Sequence, residues 1–151
     1  MDLSVKNTLS IVIPTFNEEG NIELLYNKLR ETIDPLGLEA LEVIFVDDGS
    51  HDDSLKIIKR LAKNDAQVKY ISFSRNFGHQ LALKAGLDHA RFQGVISLDA
   101  DLQHPVELIP EMIQKWRAGA DVVFSKRIDT ALPWFKRTSS KLFYRIVNSL
   151  S

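Results

Sequence analysis

Four short apolar runs recur along the chain, at 9–13, 41–46, 68–73 and 95–98, and a fifth follows at 122–124. They are continuous and rich in Val and Ile, the pattern of strands covered on both faces, as in a parallel sheet. Between them the apolar spacing changes to three and four residues. Ile22, Leu25, Tyr26, Leu29 and Ile33 share one helical face, and Leu55, Ile58 and Leu61 share a second. Ala82, Ala85, Gly86 and His89 form a small-residue face that would let a third helix approach the sheet closely. Pro105 suits a first helical turn and Pro110 does not suit a helix interior, so a short turn at 105–108 is predicted to lead into a helix over about 110–116 that carries Met112, Ile113 and Trp116. The resulting β-α-β-α-β-α-β-α-β order predicts right-handed crossovers and a doubly wound α/β sheet flanked by helices on both faces. Ligands of such sheets bind at the carboxyl ends of the strands, where strand order reverses.

Composition fits one globular domain: 151 residues, 44% hydrophobic, 26% charged, net charge -1. Cysteine is absent, which excludes disulfides and thiolate metal sites. No apolar stretch approaches the roughly 20 residues of a membrane span, and residues 1–10 lack a signal-peptide pattern. The near-zero charge conceals a division, because 13 basic and 19 acidic residues precede position 126 and six basic and one acidic stand from position 126 onward. The C-terminal segment is locally basic.

The loop after the first strand, Pro14-Thr15-Phe16-Asn17-Glu18-Glu19-Gly20, contains no G-x-G-x-x-G, which disfavours a dinucleotide site of the usual kind. The P-loop, the nucleophile-elbow G-x-S-x-G and the zinc-protease H-E-x-x-H patterns are absent too. The second strand ends in Val46-Asp47-Asp48-Gly49-Ser50, where an acid can accept a hydrogen bond from a ribose or base, or can form an Asx turn with Asp52 or Asp53 capping the next helix. After the third strand, Arg75 in Ser74-Arg75-Asn76-Phe77-Gly78-His79 could meet phosphate or stand on the surface. The fourth strand ends in Leu98-Asp99-Ala100-Asp101-Leu102-Gln103-His104-Pro105. Extended geometry would bring Asp99, Asp101 and Gln103 to one side, as hard oxygen ligands suited to Mg²⁺ or Mn²⁺ completed by substrate phosphate, whereas the plainer reading has one Asp as a helix cap. His104 before Pro105 suggests a helix start more than a metal ligand.

Together these four stretches resemble the successive motifs of family 2 glycosyltransferases with the GT-A fold, and among them the polyprenyl-phosphate branch that includes dolichol-phosphate mannose synthases and bactoprenol glucosyltransferases. The resemblance runs from about Leu9 to the last residue. It implies an inverting, metal-dependent transfer of a sugar from a nucleoside diphosphate to a polyprenyl phosphate at the cytoplasmic membrane face. By motif position it implies that Pro14, Thr15, Phe16, Glu18, Asp47, Asp48, Ser50, Arg75, Gly78, Asp99 and Ala100 line the nucleotide-sugar site. Asp101 and Gln103 would hold Mg²⁺ or Mn²⁺, and Asp99 would orient nucleotide and sugar. Arg127 would serve the diphosphate and the acceptor phosphate, and Arg137 and Ser140 the acceptor phosphate. Asp99, Asp101 and Arg127 would then be the catalytic set.

Residues 1–125 are read as the nucleotide-sugar-binding core and 126–151 as the start of an acceptor or membrane-interface segment. From Pro133 onward, Leu142, Phe143, Ile146, Val147 and Leu150 form an apolar helical face beside Lys136, Arg137, Lys141 and Arg145, a pattern for an amphipathic helix on an anionic membrane surface or for a helix packed on protein. Relatives in this branch continue further, so a truncated donor half is expected. No nucleic-acid partner is expected, and a homo-oligomer is left open. The alternatives are transfer to a saccharide hydroxyl and a non-catalytic nucleotide-sugar-binding module.

Overall fold

The computed structural model describes residues 7–125, so the basic segment with Arg127, Arg137 and Ser140 and the amphipathic stretch at 133–151 lie outside the described residues. The elements are β1 (Thr8–Thr15), α1 (Ile22–Ile33), β2 (Ala40–Asp47), α2 (Ser54–Asn64), β3 (Val68–Ser72), α3 (His79–His89), β4 (Gly94–Ser97) and α4 (Ile109–Arg117), with 3₁₀ turns at Asp34–Leu36 and Val106–Leu108. All the strands pair in parallel, in the order β3-β2-β1-β4. β2 and β3 therefore lie outward to one side of β1, and the chain returns to place β4 on the other.

Period-two alternation sorts the continuous apolar runs onto two faces. Leu9, Ile11 and Ile13 of β1 join Leu41, Val43 and Phe45 of β2 in the larger core, which α1, α2 and α4 cover through Ile22, Leu25, Leu29, Ile58, Ile109 and Ile113. Val12, Ile44 and Val46 point the other way and meet α3 at Ala82. The close approach expected of α3 is present: a Cβ on Gly86 would stand 2.2 Å from Val12 Cγ1. At the other end of that helix His89 is exposed, its Nδ1 2.8 Å from the Ala85 carbonyl, and so it does not share the packed face assigned to it from spacing. In α2, Ile57 and Ala62 pack on the core with Ile58 and Leu61, while Leu55 is only half-buried, a rotation of the face by part of a turn. The turn before α4 and the placement of Pro110 in its first turn agree with the proline reading.

The expected fifth strand does not form. Residues 122–125 are irregular, with Val122 79% and Phe124 78% exposed. Val123, Phe124 and Ser125 face β4 across a cleft of about 400 Å³, floored by Ile113 and Trp116, instead of pairing with it. Three apolar residues have no conformation of their own without a ladder partner, and among the described residues they meet none.

A buried acid ties the lower end of the sheet together. Glu42 on β2, 2% exposed, accepts hydrogen bonds from Ser10 Oγ at 2.7 Å, from the Arg91 backbone N–H at 3.0 Å and from the Arg91 guanidinium at 2.9 Å. Burial opposes its charged form, but the bonds from Ser10 and Arg91 outweigh that and hold the carboxyl below its ordinary range. A carboxyl depressed in the folded state adds stability above its unfolded pKa, which is lost as pH falls through the folded value. Asp65, held down by Tyr26, Gln67 and Arg30 against its own burial, acts in the same direction. Urea midpoints are therefore expected to stay level above about pH 5 and to fall below about pH 4. In Glu42→Gln the neutral-pH stability should drop by about 1–3 kcal/mol and the acid limb should flatten. An acid limb identical to that of the unmodified chain would show that Glu42 is not its source.

Candidate functional site

The site opens where β1 and β4 part. The last bond between them runs from the Leu98 N–H to the Val12 carbonyl at 3.0 Å. Two residues further on, Pro14 presents the same edge to β4 and has no N–H to offer, so the ladder cannot continue. The strands diverge at the point where strand order reverses, and a cleft of about 420 Å³ forms.

Three strand ends and one helix start line it. Pro14, Thr15, Phe16 and Glu18 come from the end of β1 and its loop, and Asp48 from the residue after β2. Asp99, Ala100 and Asp101 follow β4, and Asn76 and His79 come from the loop into α3 and its first residue. Eight of the residues singled out from the sequence thus meet in one cleft. Asn76 and His79 were not among them; their one sequence signal is position, after β3 and on either side of Phe77-Gly78 at a helix start.

The remaining sequence-selected residues stand elsewhere. Asp47 is buried and accepts from the Ser50 N–H and Ser72 Oγ, both at 3.3 Å, which makes it an Asx turn and an inter-strand clamp. Ser50 Oγ accepts the Asn17 N–H at 3.0 Å, one link in a zipper between the loops after β1 and β2. Its other links run from the His51 N–H to Asn17 Oδ1 at 2.8 Å and from the Glu18 N–H to Ser54 Oγ at 2.8 Å. Asp52, not Asp53, serves the start of α2, accepting the Ser54 N–H at 3.0 Å. Arg75 is exposed with its guanidinium 4.8 Å from the Phe77 ring centroid.

Asp48 is 3% exposed and spends both oxygens on the loop before α3: Oδ1 accepts the Phe77 N–H at 2.7 Å and Oδ2 the Gly78 N–H at 2.9 Å. Gly78, at φ 99°, then starts the helix. Gly49 permits the whole junction. Its φ is 71°, and a Cβ there would lie 2.4 Å from the Arg75 carbonyl carbon.

Of the three residues expected to converge, Asp99 and Asp101 share the cleft and Gln103 does not join them. Extended backbone ends before Asp101, because Leu102 takes a φ of 61° and Asp101 Oδ1 accepts the Gln103 N–H at 3.0 Å. The tight turn tucks Leu102 against the main core and leaves Gln103 outside the cleft. Such a left-handed non-glycine residue costs about 1 kcal/mol or more and persists where surrounding packing demands it. Among the described residues no group of three His, Asp or Glu side chains could hold a metal. Two carboxylates on one open cleft do suit Mg²⁺ or Mn²⁺, which take few protein ligands and complete their shell with substrate phosphate and water. The donor set therefore fits a divalent ion shared with an anionic ligand. Asp99 itself, with 42% of its side chain exposed, lies 3.6 Å through Oδ1 from His79 Nε2 and 3.5 Å through Oδ2 from His104 Nδ1.

A family model described as "Glycosyl transferase family 2" matches residues 10–150. The chain is 44% identical over 144 residues to a prophage bactoprenol glucosyl transferase homolog of Escherichia coli K12, covering 95% of this chain and 47% of that one. It spans less than half the length of the curated relatives it matches. Among solved structures it resembles glucosyl-3-phosphoglycerate synthase of Mycobacterium tuberculosis in complex with Mn²⁺, UDP and glucosyl-3-phosphoglycerate, with TM-score 0.55 and 28% identity over 75% of this chain and 40% of that one. It also resembles a mannosyltransferase of Pyrobaculum calidifontis in complex with GDP-Man and Mn²⁺, with TM-score 0.63, 80% of this chain and 34% of that one; at 24% identity this likeness speaks for the fold alone.

Proposed function

Because the chain belongs to glycosyl transferase family 2, we propose that its strand-end cleft is the donor site of an inverting glycosyltransferase that moves a sugar from a nucleoside diphosphate to a polyprenyl phosphate at the cytoplasmic membrane face. The observation that carries this reading is the meeting of Pro14, Thr15, Phe16, Glu18, Asp48, Asp99, Ala100 and Asp101 around one crevice at the switch point of the sheet. The acceptor class is supported by bactoprenol glucosyl transferases at 44–45% identity over 95% of the chain.

In this reading the wall formed by Pro14 and Phe16 takes the base, and Glu18 and the loop held by Asp48 bound the ribose side. Asp101, on the cleft, would hold Mg²⁺ or Mn²⁺, and Gln103, outside the cleft, is not assigned to the ion. When bound, that ion would supply neutralisation of the donor diphosphate. Asp99, at the inner wall, orients the sugar. The acceptor phosphate oxygen forms the new bond at the anomeric carbon from the opposite side as the bond to the nucleotide breaks, and the electron pair leaves on the nucleoside diphosphate. A phosphate is already anionic at pH 7, so the cleft needs no strong general base. Arg127, Arg137 and Ser140 are assigned to the diphosphate and the acceptor phosphate, and 133–151 to the anionic membrane surface.

Calorimetry with UDP-glucose, GDP-mannose and dTDP-glucose, each with and without Mn²⁺, tests the donor assignment. Binding of at least one donor that requires Mn²⁺ is expected; no binding of any of them would remove it. Sugar transfer to a short-chain polyprenyl phosphate, and not to a saccharide hydroxyl, tests the acceptor.

A further inference from the structure

We infer that His79 and His104 are positioning residues that set the Asp99 carboxylate for the donor sugar. The inference rests on the donor-site reading above and gives a site role to two histidines that the sequence reading left without one. Among the described residues, Asp99 alone lines both the donor cleft and the cleft beside β4. His79 approaches Oδ1 from the donor side, and His104, which lines the second cleft, approaches Oδ2 from the other. A half-exposed aspartate on a loop otherwise rotates freely about two side-chain bonds. Two imidazole nitrogens facing opposite oxygens at 3.6 and 3.5 Å, short of direct hydrogen bonding, bias it toward one plane.

The approach of His79 is itself built in. The Asp48 carboxylate clamps the N–H groups of Phe77 and Gly78, and Gly78 turns the chain through φ 99°, so the first side chain of α3 is delivered over the cleft. His104 is delivered by the turn at Leu102 that withdraws Gln103. The two backbone features that upset a simple extended reading therefore have one shared result, a carboxylate addressed from both sides. Such a carboxylate is preorganised to accept hydrogen bonds from the hydroxyls of the transferred hexose, a ring that the leaving nucleoside diphosphate lacks.

The test compares a nucleotide sugar with its nucleoside diphosphate in the full chain with Mn²⁺: UDP-glucose against UDP, and GDP-mannose against GDP. In the His79→Ala/His104→Ala double variant the nucleotide-sugar affinity is expected to fall by about ten-fold, the scale of one charge-assisted hydrogen bond, while the nucleoside diphosphate binds as before within about two-fold. His79→Gln/His104→Asn places amide nitrogens near the positions of Nε2 and Nδ1 and is expected to recover most of the difference. A merely structural role would weaken both ligands together. An unchanged ratio, an equal loss for both ligands, or no recovery in the Gln/Asn variant would overturn the inference while leaving the donor site standing. Failure of the unmodified chain to bind any donor would instead overturn the donor-site reading.

Discussion

Gly49→Ala is expected to destabilise the fold by at least about 3 kcal/mol, roughly 10 °C in Tm, and to abolish donor binding at temperatures where the variant is still folded. Two independent penalties coincide at this residue. Its φ of 71° is a conformation that a side chain disfavours, and the added Cβ would sit 2.4 Å from the Arg75 carbonyl carbon and 2.7 Å from both Arg75 Cα and the Asn76 nitrogen. The three nearest atoms are all backbone, so rotation of a side chain cannot relieve them. Relief requires the loop before α3 to move, and that loop holds Asn76 and His79 in the cleft through the Asp48 clamp. Gly37 provides the control: its φ is 59°, but a Cβ would meet nothing within 4 Å. Gly37→Ala should cost only the conformational part, about 1 kcal/mol, and leave donor binding intact. Urea denaturation of the two variants, with calorimetry below their transitions, measures both parts. Equal losses of stability would mean that the contact with Arg75 carries no energy.

Asp101→Ala is expected to weaken Mn²⁺-dependent donor binding by at least about 100-fold, with a change in stability within about 0.5 kcal/mol. Asp101 is exposed, and its one intramolecular hydrogen bond is to the Gln103 N–H within its own turn, so the fold loses little with the carboxylate. The cleft loses much more. Two of its other carboxylates are engaged, Asp48 with two backbone N–H groups and Glu18 with Asn21 Nδ2 at 2.7 Å, and Asp99 alone cannot make up the pair of carboxylates that suits the ion. Neither Asp48 nor Glu18 can replace Asp101 opposite a diphosphate without giving up its partners. Titration of donor with Mn²⁺ into the variant reads the effect directly. Retained binding would remove Asp101 from the site, and the metal assignment with it.

The elements and their burial were legible in the sequence because both are local. Continuous apolar runs mark strands buried on two faces, and three- and four-residue spacing marks the helical faces laid on them. The same local logic placed Pro110 in a first turn and Gly86 against the sheet. It failed at 122–124, where a strand depends on a partner, and at His89, where the register of a helix end decides exposure. At the site, the sequence alone identified which strand ends carry the polar groups, since Pro14, Asp48, Asp99 and Asp101 each follow an apolar run. Whether a carboxylate faces the cleft or another part of the chain was decided only in three dimensions. Asp47 and Asp48 are adjacent and chemically identical, yet one closes a turn and the other clamps a loop 29 and 30 residues away. The pairing of His79 with Asp99 and the withdrawal of Gln103 likewise follow from strand order and from one left-handed residue. Side-chain periodicity repeats within a few residues and encodes faces, whereas the meeting of separate loops depends on which strands lie side by side, a property of the whole sheet.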